Sequence, residues 1–189
     1  MNSSPLDRIA FANDRQDDLR DTEENNPSEQ SLFDNLLNHV LDNTEITEQD
    51  LNVLINSVKS EQYRDMFPLY DGTYIYRGMR VSEGWLKDNF GIDANELEEN
   101  REIQISGTYI PKYKYSSWSS DEEYAIDVAR HAKLSMRNML PIVLIAKTKD
   151  CEMAIDMIGW YNLIDDEFRY EQEILSIGNI PIVSIMLAK

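Results

Sequence analysis

Tyr70-Asp71-Gly72-Thr73-Tyr74-Ile75-Tyr76-Arg77-Gly78 is where the chain changes character. Gly72 permits a turn, and Thr73-Tyr74-Ile75-Tyr76 alternates with the period of two of a half-buried strand, which runs into Arg77-Gly78. Upstream, the apolar period is helical. Leu32, Leu36, Leu37 and Val40 predict a helix over Ser31 to Leu41. Thr47-Glu48-Gln49-Asp50 ahead of Leu51, Leu54, Ile55 and Val58 predicts a second helix with its own cap. Residues 1–30 carry eight acids, three arginines and Asn25-Asn26-Pro27. They offer too little apolar surface to offset ordering entropy and read as an acidic, disordered tail.

Downstream, Trp85, Leu86, Phe90, Ile92 and Leu97 predict one helix from Gly84 to Asn100 with an acidic outer face. Ile103 to Ser106 and Tyr109 to Trp118 read as extended. Ser119 or Ser120 caps a helix whose first turn is Asp121-Glu122-Glu123, where the dipole favours anions, and whose stripe is Ala125, Val128, Ala129, Ala132 and Met136. Pro141 ends it. Ile142 to Ala146 is of strand length, Asp150 to Asp166 reads mostly as loop, and Tyr170 to Ile177 and Ile182 to Leu187 read as strands. Helices over 31–69, then a strand-rich region over 70–189 with a strong helix inserted, make an α+β protein.

Composition agrees with one domain plus an appendage: 189 residues, 42% hydrophobic and 10% aromatic, can bury a real core. Eighteen Lys and Arg against 35 Asp and Glu leave a net charge of −17, a field that repels phosphate backbones, so direct nucleic-acid binding is not expected. The same charge keeps the chain in solution and speeds encounter with a basic protein surface. Cys151 is the single cysteine, and His39 and His131 are the two histidines, so neither a disulfide nor a zinc site is expected. No basic segment leads into an apolar run at the N-terminus, and no stretch approaches the roughly 20 apolar residues of a membrane span, so the expectation is a protein of the cytoplasm.

There is no glycine-rich phosphate loop, no His-Glu-x-x-His and no nucleophile elbow. Glu171-Gln172-Glu173 heads the strand Ile174-Leu175-Ser176-Ile177, and strand period sets its two carboxylates on one face about 7 Å apart. Paired acids raise the proton affinity of one of them, which suits chemistry needing both a charge stabiliser and a base. Alone, a Glu-x-Glu in so acidic a chain is a solvated strand edge. Arg77, at the end of its strand before a glycine, is either a surface arginine or a bidentate phosphate ligand. Ser117-Trp118-Ser119 stands where strand gives way to helix, where hydroxyls either cap or orient a nearby carboxylate. Asp165-Asp166-Glu167 reads as a solvated loop, and His131 and Cys151 as packing or surface residues.

Taken in order, Tyr76-Arg77-Gly78, Ser117-Trp118-Ser119 and Glu171-Gln172-Glu173 resemble the arginine, Ser-x-Ser, Glu-x-Glu pattern of mono-ADP-ribosyltransferases of the cholera-toxin-like class, small phage-encoded members above all. The resemblance covers residues 70–189 and implies a catalytic core of two small packed β-sheets with a helical region before it. It also implies NAD as co-substrate, with no metal. Arg77 would contact an NAD phosphate, and the main chain at Gly78 the nicotinamide amide. Ser117 would steady the catalytic Glu173, and Ser119 would support the pocket. Glu171 goes with arginine as acceptor, and Phe168, with Tyr170 and Tyr161 as further candidates, with substrate recognition. Trp118 departs from the small residue usual in the middle of the serine motif.

Chemistry agrees with those assignments. Cleaving the nicotinamide–ribose bond creates an oxocarbenium-like centre that a fixed carboxylate stabilises more than the ground state. An arginine acceptor is protonated at neutral pH and needs a base, which Glu171 would supply. Nicotinamide leaves neutral and needs no acid. Two other readings stand beside this one: an acidic, non-enzymatic protein that occupies a basic, nucleic-acid-binding surface, and an NAD glycohydrolase in which water replaces the protein acceptor.

Overall fold

A computed structural model describes residues 47–59, 67–131, 139–157 and 172–188 of the chain. The acidic tail, the helix expected over Ser31 to Leu41, and Tyr161, Phe168, Tyr170 and Glu171 lie outside the described residues. Among those residues the fold is mixed α and β, with four α-helices and one seven-stranded antiparallel sheet. None of these helices is long and apolar enough to cross a membrane.

Helix α1, Glu48–Val58, starts as expected: Thr47 caps it by accepting from the Asp50 N–H at 3.2 Å, and Leu51, Leu54 and Val58 are buried. Strand β1, Tyr74–Val81, does not stop at Arg77-Gly78 but pairs with β4, Leu140–Lys147, along its whole length. Gly78 marks a close approach in mid-strand, not an end. A Cβ built on it would lie 1.9 Å from the Ala125 carbonyl oxygen, so the glycine lets a helix press against the strand.

The single helix expected from Gly84 to Asn100 is two. Helix α2, Glu83–Phe90, ends at Gly91, whose φ of 71° forms a left-handed cap, and Asp93 starts α3, Ala94–Asn100, by accepting from the Asn95 N–H at 2.9 Å. Strands β2, Glu102–Tyr109, and β3, Tyr115–Ser119, follow. Helix α4, Glu122–Arg130, is capped by Asp121, not by Ser119 or Ser120: the Asp121 carboxylate accepts from the N–H groups of Glu123 and Tyr124 at 2.8 and 3.2 Å. An anion accepts these bonds better than a hydroxyl does. Arg80 closes the other end, donating to the carbonyls of Ala129 and Arg130 at 2.9 and 2.7 Å.

Pro141 lies inside β4 opposite Arg80, and its carbonyl accepts from Ala188 at 2.9 Å; of the helix expected to run up to it, Glu122–Arg130 is described, and Ala132 and Met136 lie outside the described residues. The stretch read as loop contains strand β5, Met153–Asp156, which is too short to show a period and is paired with β6, Glu173–Ile177. Strand β7, Ile180–Leu187, completes the sheet in the order β2-β7-β4-β1-β3-β6-β5. Where the family resemblance implies two packed sheets, the ladder is continuous. Its β1–β3 seam nevertheless rests on one register pair, Tyr76 with Ser119, whereas β1 and β4 share eight.

Strand β4 is covered on both faces, whereas β2, at the edge, is exposed on alternate residues. Ile75, Val81, Leu86, Trp118, Ile142 and Ile174 belong to the larger core on one side, while Ala125, Ala129, Val143 and Ile145 pack under α4 on the other. Strand β4 is therefore buried from Ile142 to Ala146 and reads as a continuous apolar run, not an alternating one.

Candidate active site

The β1–β3 seam opens beyond its single pair, and a cleft of about 230 Å³ lies there. Arg77, Gly78, Ser117, Ser119 and Glu173 all line it, and Tyr124 and Val128 of α4 form a wall. Three stretches far apart in sequence thus meet at one place. Tyr124 and Val128 are one helical turn apart beside the buried Ala125 and Ala129, a spacing legible as a second helix face but not as a cleft wall.

Ser119 occupies the centre of the junction, opposite Tyr76 on β1 and opposite Glu173 on β6. Its hydroxyl accepts from the Asp121 N–H at 3.0 Å, which ties the seam to the start of α4. Register places Ser119 directly across from Glu173, while Ser117 lies across from Leu175. Directly opposed residues in an antiparallel pair have adjacent side chains on one face, so Ser119 is the direct cross-strand neighbour of Glu173 and Ser117 a diagonal one. Glu173 is only 9% exposed yet lines the cleft, and its carbonyl accepts from Met157 at 3.0 Å.

Arg77 reaches the cleft from an unexpected side. Alternation along β1 sends Ile75, Met79 and Val81 into the larger core and Tyr76 toward α4, and Arg77 belongs to the former set. Its guanidinium bridges the open seam, donating through Nη1 to the Ser117 carbonyl and lying 5.6 Å from the centroid of the Tyr109 ring. Tyr109 in turn meets Trp118 edge-on at 6.1 Å, and the Trp118 indole donates to Ser116 at 2.8 Å. The large residue in the serine motif thus packs into the core and is also among the residues that line the cleft. Arg77 Nε is a buried donor with no hydrogen-bond partner. An acceptor brought beside it by a ligand would remove the cost of that unmade bond.

The pleat on which the Glu171–Glu173 spacing depends begins only at Glu173. Gln172 has a φ of 44° and is not in the strand, which among the described residues is Glu173–Ile177; Tyr170 and Glu171 lie outside them. Ser120 holds Gln172 through its main-chain N–H and its hydroxyl.

Tyr76 also lines a second groove of about 260 Å³, with Tyr74, Glu102, Glu122 and Lys147 among its walls. Burial, then the Glu122 carboxylate, push the Tyr76 phenol above its ordinary value. The Tyr70 phenol is likewise raised, by burial and then by Asp156, against a hydrogen bond with Ser120 that lowers it. Cys151 lies apart from the cleft. Its thiol is pushed up chiefly by burial and donates to the Lys147 carbonyl at 3.5 Å, an environment that disfavours the reactive thiolate. His131 is exposed and sits 3.0 Å from its helical neighbour Asp127.

No family model, no curated protein and no solved structure matches this chain.

Proposed function

We propose that this protein transfers ADP-ribose from NAD to an arginine of a target protein and releases nicotinamide. One observation carries the reading: Arg77, Gly78, Ser117, Ser119 and Glu173, joined beforehand only by their order in the chain, line a single cleft at the seam of the sheet. The two parts of the sheet that meet at Tyr76 and Ser119 correspond, in this reading, to the two small sheets of an ADP-ribosyltransferase core.

A cleft of about 230 Å³ is smaller than the roughly 300–1,000 Å³ of pockets that enclose a whole drug-sized ligand. It would therefore take the nicotinamide–ribose end, leaving the rest of the dinucleotide along the rim. Glu173 stabilises the positive charge that develops on the ribose as the glycosidic bond lengthens, and Ser119, with Ser117, orients it. Arg77 gives its remaining donors to a phosphate while Tyr109 and the Ser117 carbonyl hold its plane in place. Gly78 supplies main chain to the cleft floor. Its missing side chain is accounted for by α4, so ligand contact is a second use of a glycine that packing already demands.

Arginine as acceptor draws support from the groove that shares Tyr76 with the cleft, where Tyr74, Glu102 and Glu122 offer rings and two carboxylates to a guanidinium against the one cation of Lys147. Glu171, with Phe168 and Tyr170, would complete acceptor recognition, with Glu171 taking the arginine proton. The place of action is a cytoplasm, that of a host cell included.

Incubation with labelled NAD and a cell lysate tests the reading. Labelled protein that disappears in Glu173→Gln supports transfer, and mass spectrometry then identifies the acceptor residue. Free ADP-ribose without labelled protein points to glycohydrolysis. The charge of −17 favours a second reading, a non-enzymatic acidic protein that blocks a basic partner by covering it. In that case Glu173→Gln blocks as well as wild type and no NAD is consumed.

A further inference from the structure

We infer that Ser120 and Gln172 are a positioning pair for Glu173, so that the middle residue of Glu171-Gln172-Glu173 is an anchor and not a spacer; this deepens the transferase reading and rests on it. Gln172 has a φ of 44°, in the left-handed region that side chains other than those of Asn and Asp rarely occupy. Its own side chain is too long to stabilise that conformation locally as Asn does. The surrounding structure imposes it, and imposed strain of this kind gathers at functional sites.

Among the described residues the restraint comes from Ser120. The Ser120 N–H donates to the Gln172 carbonyl at 3.0 Å, and the Ser120 hydroxyl donates to Gln172 Oε1 at 2.9 Å, with the Gln172 carbonyl a further acceptor at 3.4 Å. Main chain and side chain of Gln172 are thus gripped together. The next residue is Glu173, held opposite Ser119 on one side and through its carbonyl by Met157 on the other.

Ser120 itself has little freedom. It stands between Ser119, which joins β1 to β6, and Asp121, which caps α4. Helix α4 is seated on Gly78, so the packing that builds the cleft wall also sets Ser120 and, through Gln172, the direction from which the Glu173 carboxylate meets the cleft. Releasing the grip would let β6 fray from its first residue, the one that carries this carboxylate.

Steady-state transfer of ADP-ribose from labelled NAD, read with thermal unfolding for wild type, Gln172→Gly, Ser120→Ala and Ser120→Thr, tests the pair. Glycine occupies the left-handed region freely, so Gln172→Gly removes the side-chain half of the anchor while relieving the strain. Its unfolding midpoint is expected within about 3 °C of wild type, while kcat falls roughly ten- to a hundredfold with little change in KM for NAD. Ser120→Ala behaves alike, Ser120→Thr recovers most of the loss by keeping a hydroxyl, and the double variant Ser120→Ala/Gln172→Gly loses no more than the worse single variant. Wild-type kcat in Gln172→Gly and Ser120→Ala, or losses that track the unfolding midpoint and resist the threonine variant, would overturn the pair while leaving the transferase intact. A wild-type protein that consumes no NAD would overturn the transferase reading and the pair's role together.

Discussion

The two sides of strand β1 are built differently. Toward β4 it makes a ladder of eight register pairs against a strand buried from Ile142 to Ala146; toward β3 it makes one, at Tyr76 and Ser119, and then the pairing lapses. The first side is ordinary sheet, in which regular hydrogen bonding and apolar burial reinforce each other. The second leaves main-chain groups to be satisfied by other means, and side chains do so: the Arg77 guanidinium takes the Ser117 carbonyl, and the Ser119 hydroxyl takes the Asp121 N–H. Irregular pairing thus produces a recess lined with polar groups next to a rigid support, which is what a reactive site requires.

The largest effect expected of a change at this seam is chemical. Glu173→Gln should lower transfer from NAD by at least about a hundredfold, because the amide cannot stabilise an adjacent cation. Undiminished labelling by this variant would remove the site from the cleft altogether. Next comes a change on the regular side of β1. Gly78→Ala sets a methyl 1.9 Å from the Ala125 carbonyl oxygen, and the forced displacement of α4 should cost about 3 kcal/mol in urea unfolding. A stable Gly78→Ala protein would mean that the helix is not pressed against the strand as described.

Arg77→Lys separates the two uses of the seam. Lysine keeps the charge but loses the planar fork over Tyr109 and the fixed donors, so a stability loss of about 1 kcal/mol should accompany a fall in transfer of about tenfold. Loss of stability with full activity would make Arg77 a purely structural bridge. The smallest effect concerns two phenols, Tyr76 of the cleft and Tyr70 outside it. Tyr76 and Tyr70 both have pKa values raised in the folded state. Their neutral forms are therefore favoured by folding, and the associated stability is complete below the unfolded phenol value of roughly 10 and declines as pH rises through the folded one. Tyr76→Phe should flatten part of the alkaline decline in a thermal-unfolding series, and an unchanged slope would show that the phenol ionises as freely as in the unfolded chain.

Several features were legible in the residues alone. The Thr47 cap and the helical stripe after it, the alternation from Thr73, the apolar run Ile142 to Ala146 and the Ala125–Ala129 face all follow from local periodicity, which secondary structure obeys wherever burial is one-sided or complete. The motif residues Arg77, Gly78, Ser117, Ser119 and Glu173 stood out by type and order, and they line one cleft. Other features depended on partners distant in sequence. A period of two implies nothing about the left-handed turn at Gln172, which Ser120 sets from 52 residues away. Nor does a short strand such as β5 declare itself, since its pairing with β6 and with the segment around Leu69 is what makes it a strand.

Local sequence determined which segments are helical or extended and which polar residues interrupt them, because those properties reside in neighbouring side chains. Tertiary structure decided that β1 and β3 meet at a single pair, that Ser119 and not Ser117 faces Glu173, and that Arg77 arrives from the core side of its strand. Register and the lapse of a ladder are set by the packing of α4 on Gly78 and by the twist between strands, and those energies involve residues that approach one another only when the chain has folded.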